Sequence, residues 1–576
     1  YTLSLHDALP ISRVVLVSIH LARSPQNVPL GAACVASALK HAEATSASVD
    51  PVLVDAYVTE TGTELAARLV ALAPDLVGFS VYVWNRDLAV ACARELRSLV
   101  PGLKMIAGGA EATADPEGLL GAAPFDAIVA GEGEGAGVAA IAELLARGAA
   151  SEAAGVFVPG GAVPRAAPGR APPVDVVSLA SPWLDGTLDP SPYGGALWEL
   201  ARGCPFGCAF CYESRGHRGV RRFSVERIEA ELDFFVRSGI GQALVLDPTF
   251  NADRERAARI LRLLRERGRG LHYVIEVRAE FLDRAQARLF SELACSVQIG
   301  LQTARPEVSK LVGRSLDPSL FIRKVGLLNE TGAVFGIDLI YGLPGDDLAG
   351  FRASLDWVMA LEPNHLDVFR LSVLPGTLLF DQADGFGMKR ETAPPYRVLS
   401  TPTFPAADLD AAERLAKALD VFYIKGRAVA WFARALKALG AKPVAFLEDF
   451  ADWAEGRGGL GTFATPVAVE DAQAAFLSER FTEPRQRKAL PVILDLVRLN
   501  GAWGRALAEG EASELRLDHD PELLMGPEAL ELRAFAAAFP AEPRRYRIKP
   551  SRDGGVSIED VPGRPKAARP TGSRPG

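Results

Sequence analysis

Three cysteines lie within eight residues, in Cys204-Pro-Phe-Gly-Cys208-Ala-Phe-Cys211, a C-x3-C-x2-C spacing. Clustered thiolates are ligands for soft metal ions and for iron–sulfur clusters. A cube of four irons is usually held by four cysteines, so three ligands leave one iron without a protein donor. An open metal position is where a substrate coordinates, by the logic that separates catalytic zinc sites from closed structural ones. Two plainer readings stand beside this one. A structural zinc takes four donors, and His217, six residues past Cys211, is available as the fourth. Free cysteines are also ordinary core residues.

The chain has 576 residues, which predicts three or four domains. Hydrophobic residues are 49% and charged residues 23%, the range of water-soluble globular domains. A formal net charge of −8 speaks against broad nucleic-acid binding, which favours basic surfaces. The other cysteines, Cys34, Cys92 and Cys295, are scattered, so no disulfide framework is expected and a reducing cytoplasm is. No run of eighteen apolar residues predicts a membrane span. Residues 1–12 lack the basic start of a signal peptide and resemble a translated sequencing adapter, so they are left out of the fold reading as a non-native artefact.

Elements that alternate between strand and helix must position the cysteines. Residues 13–150 carry five short apolar, β-branched runs: Arg13–Ile19, Val49–Asp55, Leu76–Ser80, Leu103–Ala107 and Phe125–Ala130. Helical patterns separate them, which predicts a doubly wound, Rossmann-like parallel sheet. Ligands on such sheets bind outside the carboxyl ends of the strands. Here those ends carry His20, Asp55, Ser80, Tyr82, Gly108, Gly109, Glu132 and Glu134. Residues 151–194, rich in Gly, Pro and Ala, read as a linker. From 195 to 384 the alternation returns, with strands at Ala196–Ala201, Ala243–Asp247, His272–Val277, Cys295–Gly300, Val334–Ile340 and Leu366–Leu371. The intervening helix after the cysteines starts at Ser224, an N-cap residue. Six β/α units predict a partial barrel with its site at the carboxyl ends of the strands. Residues 385–546 are dominated by helical periodicity, and Pro394–Thr401, which precedes the first of these helical patterns, is placed to fold onto the barrel mouth. The Pro-, Gly-, Arg- and Lys-rich end, 547–576, predicts a disordered tail.

The cysteine loop, in the context Glu199-Leu-Ala-Arg-Gly-Cys-Pro, resembles the cluster loop of the radical S-adenosylmethionine (radical SAM) family. The strand ends carry further phrases like that family's: Asp247-Pro-Thr-Phe-Asn251, Glu276 with Arg278, Ile299-Gly-Leu-Gln302, Asp338-Leu-Ile-Tyr-Gly-Leu-Pro-Gly345 and Leu374-Pro-Gly-Thr377. The resemblance implies a 4Fe-4S cluster on Cys204, Cys208 and Cys211, whose open iron binds SAM and delivers the electron that cleaves it to a 5′-deoxyadenosyl radical. It also implies Phe210, Tyr212, Asp247, Glu276, Arg278, Gln302 and Asp338 as SAM-binding candidates. Glu276 and Arg278 could instead pair with each other. The family's Gly-Gly-Glu phrase is replaced by Asp247-Pro-Thr. Upstream, Ala107-Gly-Gly-Ala-Glu-Ala-Thr113 with Gly131-Glu-Gly-Glu134 resembles a cobalamin-binding domain, which implies Ser80, Tyr82, Gly108, Gly109, Glu132 and Glu134 as cofactor contacts. The Asp-x-His-x-x-Gly phrase that supplies a cobalt ligand is missing, because the segment reads Ser18-Ile-His20-Leu-Ala-Arg23. His20 is therefore expected to be a loop histidine, and cobalamin to bind base-off without a histidine ligand.

The resemblance implies an enzyme that methylates an unactivated carbon, with cobalamin as methyl carrier. Cyclisation or rearrangement on the same cofactors is the alternative, and a non-catalytic zinc-stapled binding protein is the third. Its expected partners are a small-molecule or peptide substrate and an electron donor such as flavodoxin or ferredoxin.

Overall fold

The computed structural model describes residues 11–160, 171–213, 219–551 and 554–561. Two compact units divide it: Tyr1–Asp347 with Arg370–Ala406, and Leu348–Phe369 with Ala407–Gly576. Among the described residues no helix is long and apolar enough to cross a membrane.

The first unit opens with β1 (Ser12–His20), β2 (Val49–Tyr57), β3 (Leu76–Ser80), β4 (Lys104–Gly108) and β5 (Ala127–Val129). All are parallel, in the order β2-β1-β3-β4-β5, and β6 (Val156–Phe157) closes the edge antiparallel to β5. This is a doubly wound sheet whose strand order reverses between β1 and β3, where such sheets take ligands. Both faces are covered. Val15, Val17 and Ile19 pack with Phe79 and Phe125 on one side, and Val14, Leu16 and Ile106 pack on the other. That two-sided burial is why β1 reads as a continuous apolar run.

The linker wraps rather than dangles. Ala171 N donates to Ala130 O at 2.7 Å, and Trp183 is buried with its ring edge on Phe235. It leads to β7 (Gly195–Trp198), then to a small antiparallel hairpin of β8 (Ala201–Arg202) and β9 (Arg221–Arg222) that brackets the cysteine loop. Ser224 caps the next helix, Val225–Ser238, accepting from Arg227 N at 3.2 Å. The parallel sheet continues through β10 (Gln242–Val245), β11 (His272–Val277), β12 (Cys295–Gln302) and β13 (Phe335–Tyr341). The sixth expected strand forms at His365–Arg370. Beyond it, within the first unit, Leu371 N donates to Tyr341 O at 3.0 Å.

The second unit is mainly helical, as the periodicity of this region predicts, with all but the first residue of Ala406–Leu419 and with Phe432–Leu439, Pro443–Glu455, Pro466–Arg480 and Leu490–Ala508. Its core is aromatic: Phe422 meets the rings of Trp431, Phe432, Phe446, Phe450 and Phe476. One expectation needs correction. Arg544–Pro550 and Val556–Asp560 are strands, paired antiparallel and joined by Ser513–Leu517, so a disordered tail does not begin at 547. The physical reason is alternation: Tyr546 and Ile548 are buried, while Arg545 and Arg547, which alternate with them, are exposed.

Candidate functional site

The cysteine loop is held at several points. Ala209 N donates to Val312 O at 2.9 Å, and Ala209 O accepts from Leu379 N at 2.8 Å. Gly313 has φ +72°, and a Cβ there would lie 2.6 Å from Gly207 O, so the segment after β12 presses directly on the loop backbone. Phe206 is covered by the Arg278 guanidinium, 3.9 Å from the ring centroid. Cys208 is buried, and Cys204 and Cys211 are half-buried. Arg314 Nη1 lies 3.6 Å from Cys208 Sγ while its Nη2 donates to Gly300 O at 2.7 Å. Cys204 Sγ lies 3.9 Å from Thr249 Oγ1.

Burial pushes the Cys211 thiol up to about 11 against a hydrogen bond from the Glu213 backbone, and the neighbouring Cys208 and Cys204 sulfurs add to the rise. A bound metal inverts this, because a coordinating thiol is deprotonated outright. Three thiols on one braced loop suit a cube, which takes a thiolate per iron. A single zinc needs its donors around one point. Among the described residues no three His, Cys, Asp or Glu side chains form such a group, and His217 lies outside the described residues.

Parallel register lines up a polar row on one face of the second sheet. Glu276 of β11 is opposite Gln298 of β12, and Gln298 Nε2 donates to Asp338 of β13. Desolvation at the crowded strand end raises the Glu276 carboxyl although its side chain is exposed, and Glu213 raises it further. Gln302 ends β12 with φ +71°, a region that non-glycine residues rarely occupy. Its side chain is buried, and Oε1 has no hydrogen-bond partner. Strain and an unsatisfied buried acceptor together mark a place built for a ligand donor. Phe210 and Tyr212 are half-buried beside Cys211. Tyr212 also closes on Gly376, where a Cβ would lie 2.9 Å from its ring.

Two of the expected contacts have other partners. Arg278 does not pair with Glu276: its Nε donates to Glu280 at 2.7 Å. Asp247 Oδ1 accepts from the amides of Leu200 and Ala201 at 2.9 and 3.0 Å, which fixes the break between β7 and β8. Desolvation pushes the Asp247 carboxyl up to about 6, against those two hydrogen bonds. The folded state then holds a proton that the unfolded state has lost. Stability through this group is full below about pH 4 and falls by up to roughly 3 kcal/mol as pH rises to 6. Asp247→Asn is expected to flatten that window in urea denaturation of the cofactor-free protein.

At the switch point of the first sheet, Trp84 Nε1 and Asn85 Nδ2 both donate to Ile19 O, at 3.1 and 3.0 Å. Tyr82 and Trp84 stack with centroids 4.6 Å apart and planes 1° apart. Trp84 is 45% exposed and Leu21 56%, so this end presents a flat apolar ledge. Ser80 and Gly108 are half-buried at the neighbouring strand ends. Gly109 has φ +104°, and a Cβ there would meet Val81 O at 2.6 Å. The ledge and the side-chain-free turn fit a wide, flat ligand such as a corrin ring.

His20 is not a loop histidine. It ends β1, buried, with Nε2 2.8 Å from Asp55 Oδ1, and Asp55 Oδ2 accepts from Tyr193 OH at 2.6 Å. Glu132 and Glu134 also have partners other than a cofactor. Glu132 accepts from Val174 N at 2.8 Å and from both terminal nitrogens of Arg221, which hold its carboxyl below the usual range despite partial burial. Glu134 accepts from Arg202 Nη2 at 2.7 Å, beside Glu199. These carboxylates fasten the first sheet to the hairpin flanking the cysteines. Sequence reasoning missed Trp84, Gln298 and Arg314. Only Gln298 left a signal, two residues before Gly300 on the same strand face.

Residues 198–358 match the family model for the radical SAM superfamily, and residues 22–141 match that for the B12 binding domain. The 2-(S-pantetheinyl)-carbapenam-3-carboxylate methyltransferase of Streptantibioticus cattleyicolor is 26% identical over 61% of this chain and 54% of its own length. The cobalamin-dependent radical SAM methyltransferase TokK of Streptomyces tokunonensis is 25% identical over 59% of this chain and 53% of its own. The chain thus spans about half the length of these relatives. The solved structure of OxsB, a cobalamin-dependent S-adenosylmethionine radical enzyme, superposes with a TM-score of 0.56 at 15% identity, covering 87% of this chain and 74% of that one. TsrM from Kitasatospora setae, a radical S-adenosylmethionine methyltransferase, gives 0.53 at 20% identity over 68% and 81%. Both show a shared fold.

Proposed function

From a chain that carries a domain of the radical SAM superfamily behind a B12-binding domain, we propose an enzyme that cleaves SAM reductively and methylates an unactivated carbon. The observation that carries this reading is the braced three-thiol loop in the same compact unit as the aromatic-floored switch point. When bound, the cluster supplies an electron and an open iron for SAM, and cobalamin supplies a carrier for the methyl group.

The residues divide the work. Cys204, Cys208 and Cys211 hold the cluster, and Arg314 directs an N–H at the Cys208 sulfur. Gln302 Oε1 accepts from SAM, and Glu276, Gln298 and Asp338 line its approach, with Phe210 and Tyr212 beside the last thiol. Arg278 and Asp247 brace the loop and the strand break instead of touching SAM. Ser80, Tyr82, Trp84, Gly108 and Gly109 form the cobalamin floor. Cobalamin would bind base-off without a histidine ligand, as the missing Asp-x-His-x-x-Gly phrase implies, and His20 Nε2 is already engaged by Asp55 at 2.8 Å. The substrate is a small molecule or peptide, and the electron donor is a flavodoxin or ferredoxin. The compartment is the reducing cytoplasm.

Anaerobic incubation with methyl-deuterated SAM, hydroxocobalamin and reductant tests this. The expected result is 5′-deoxyadenosine together with labelled methyl in the cobalamin fraction. Deoxyadenosine with no methyl transfer opposes methylation and supports cyclisation or rearrangement.

A further inference from the structure

We infer that Tyr396 is a positioning residue for the two loops that form the cobalamin floor, acting through Glu111 and Arg86; this rests on the cobalamin reading above. Residues 391–401 lie outside both segments that match a family model. Their backbone runs beside the end of the second sheet: Val373 N donates to Tyr396 O at 2.8 Å, and Val398 N donates to Leu371 O at 2.9 Å. From there the Tyr396 side chain leaves the sheet and reaches the other domain. Its hydroxyl donates to Glu111 Oε1, and Arg86 Nη1 donates to the same carboxylate at 2.7 Å. Arg86 Nη1 also lies 3.4 Å from the Tyr396 oxygen, and its Nη2 holds Asp115 at 2.7 Å.

The placement of those partners gives the contact its meaning. Arg86 starts the helix that follows Tyr82 and Trp84. Glu111 sits one turn after Gly108 and Gly109, and its amide donates to Val81 O at 3.1 Å. The Arg86–Glu111 pair therefore ties the loop after β3 to the loop after β4, and Tyr396 supplies the second donor to the Glu111 carboxylate. Glu111 and Tyr396 are both buried at 4% exposure, so neither can exchange this partner for water. Tyr396 also adopts φ +57°, a left-handed conformation that a bulky residue holds only when its surroundings fix it. A second contact supports the docking: a Cβ at Gly376 would lie 3.3 Å from Ala114 Cα, at the end of the Glu111 helix.

Tyr396→Phe keeps the ring and removes the donor. Hydroxocobalamin titration of the full chain, followed by its visible spectrum, is expected to show roughly ten-fold weaker binding, equivalent to about 1.4 kcal/mol. Cluster content and 5′-deoxyadenosine formation should stay at the wild-type level, which a general loss of folding would not allow. Glu111→Gln alone should weaken cobalamin too, and the double variant should be no weaker than Glu111→Gln. Wild-type affinity in Tyr396→Phe, an equal loss of deoxyadenosine formation, or full additivity in the double variant would overturn the inference. Wild-type protein that takes up no hydroxocobalamin would overturn the cobalamin reading along with it.

Discussion

Cys208→Ala is expected to give a colourless protein after anaerobic reconstitution, with iron and sulfide at background and SAM cleavage at the uncatalysed level. Cys204→Ala and Cys211→Ala should match it. Among the described residues the three thiols are the only candidate cluster donors on the loop, and the loop is fixed from outside by Val312, Leu379, Arg278 and Arg314. Loss of one sulfur is therefore not repaired by movement of another residue. Cys34 lies 3.9 Å from Arg202 Nη2, whereas Cys92 sits in the core of the first sheet and the Cys295 thiol donates to Phe290 O, so Cys92→Ala and Cys295→Ala serve as controls. They should retain the broad absorption near roughly 400 nm that marks iron–sulfur ligation. If the unsubstituted protein instead purifies with stoichiometric zinc, and alanine at any of the three releases it, the zinc-stapled reading stands.

Arg202→Met should lower stability by about 3–5 kcal/mol, the usual cost of removing one partner from a buried ion pair. Arg202 is nearly buried, and its Nη2 is shared between Glu134 and Glu199 at 2.7 and 2.9 Å. Methionine fills similar volume but leaves the Glu134 carboxylate, only 6% exposed, without its arginine. Denaturant unfolding of the cofactor-free protein measures the loss. Adding Glu134→Gln to Arg202→Met should recover part of it, because an amide costs far less to bury than an unpaired charge. Arg202 is two residues from Cys204, so the same variant should also reconstitute less cluster. A variant with wild-type stability would show that the network carries little energy.

Local pattern accounts for what the sequence made legible. Leu76–Ser80 and His272–Val277 form strands at the residues expected, because apolar β-branched runs between turn residues leave little choice of period. The cysteine spacing pointed to its chemistry because all three donors sit on one loop. The unread features join distant parts of the chain. Tyr396 and Glu111 are 285 residues apart, and Arg221 and Glu132 are 89 apart. No periodicity links such pairs, so nothing in the sequence showed that the Glu132 and Glu134 carboxylates are bonded to arginines. Gln302 was legible as a position, but its left-handed backbone and unpartnered Oε1 were not. At the carboxyl end, arginine content concealed the Tyr546/Ile548 alternation that makes a strand.

Release of 5′-deoxyadenosine from SAM by the anaerobically reconstituted, reduced protein tests the central claim most directly. The account predicts release that requires reductant and disappears in each of the three cysteine variants. A protein that carries its full complement of iron and sulfide yet leaves SAM intact, or one that releases deoxyadenosine equally well without Cys208, would contradict it.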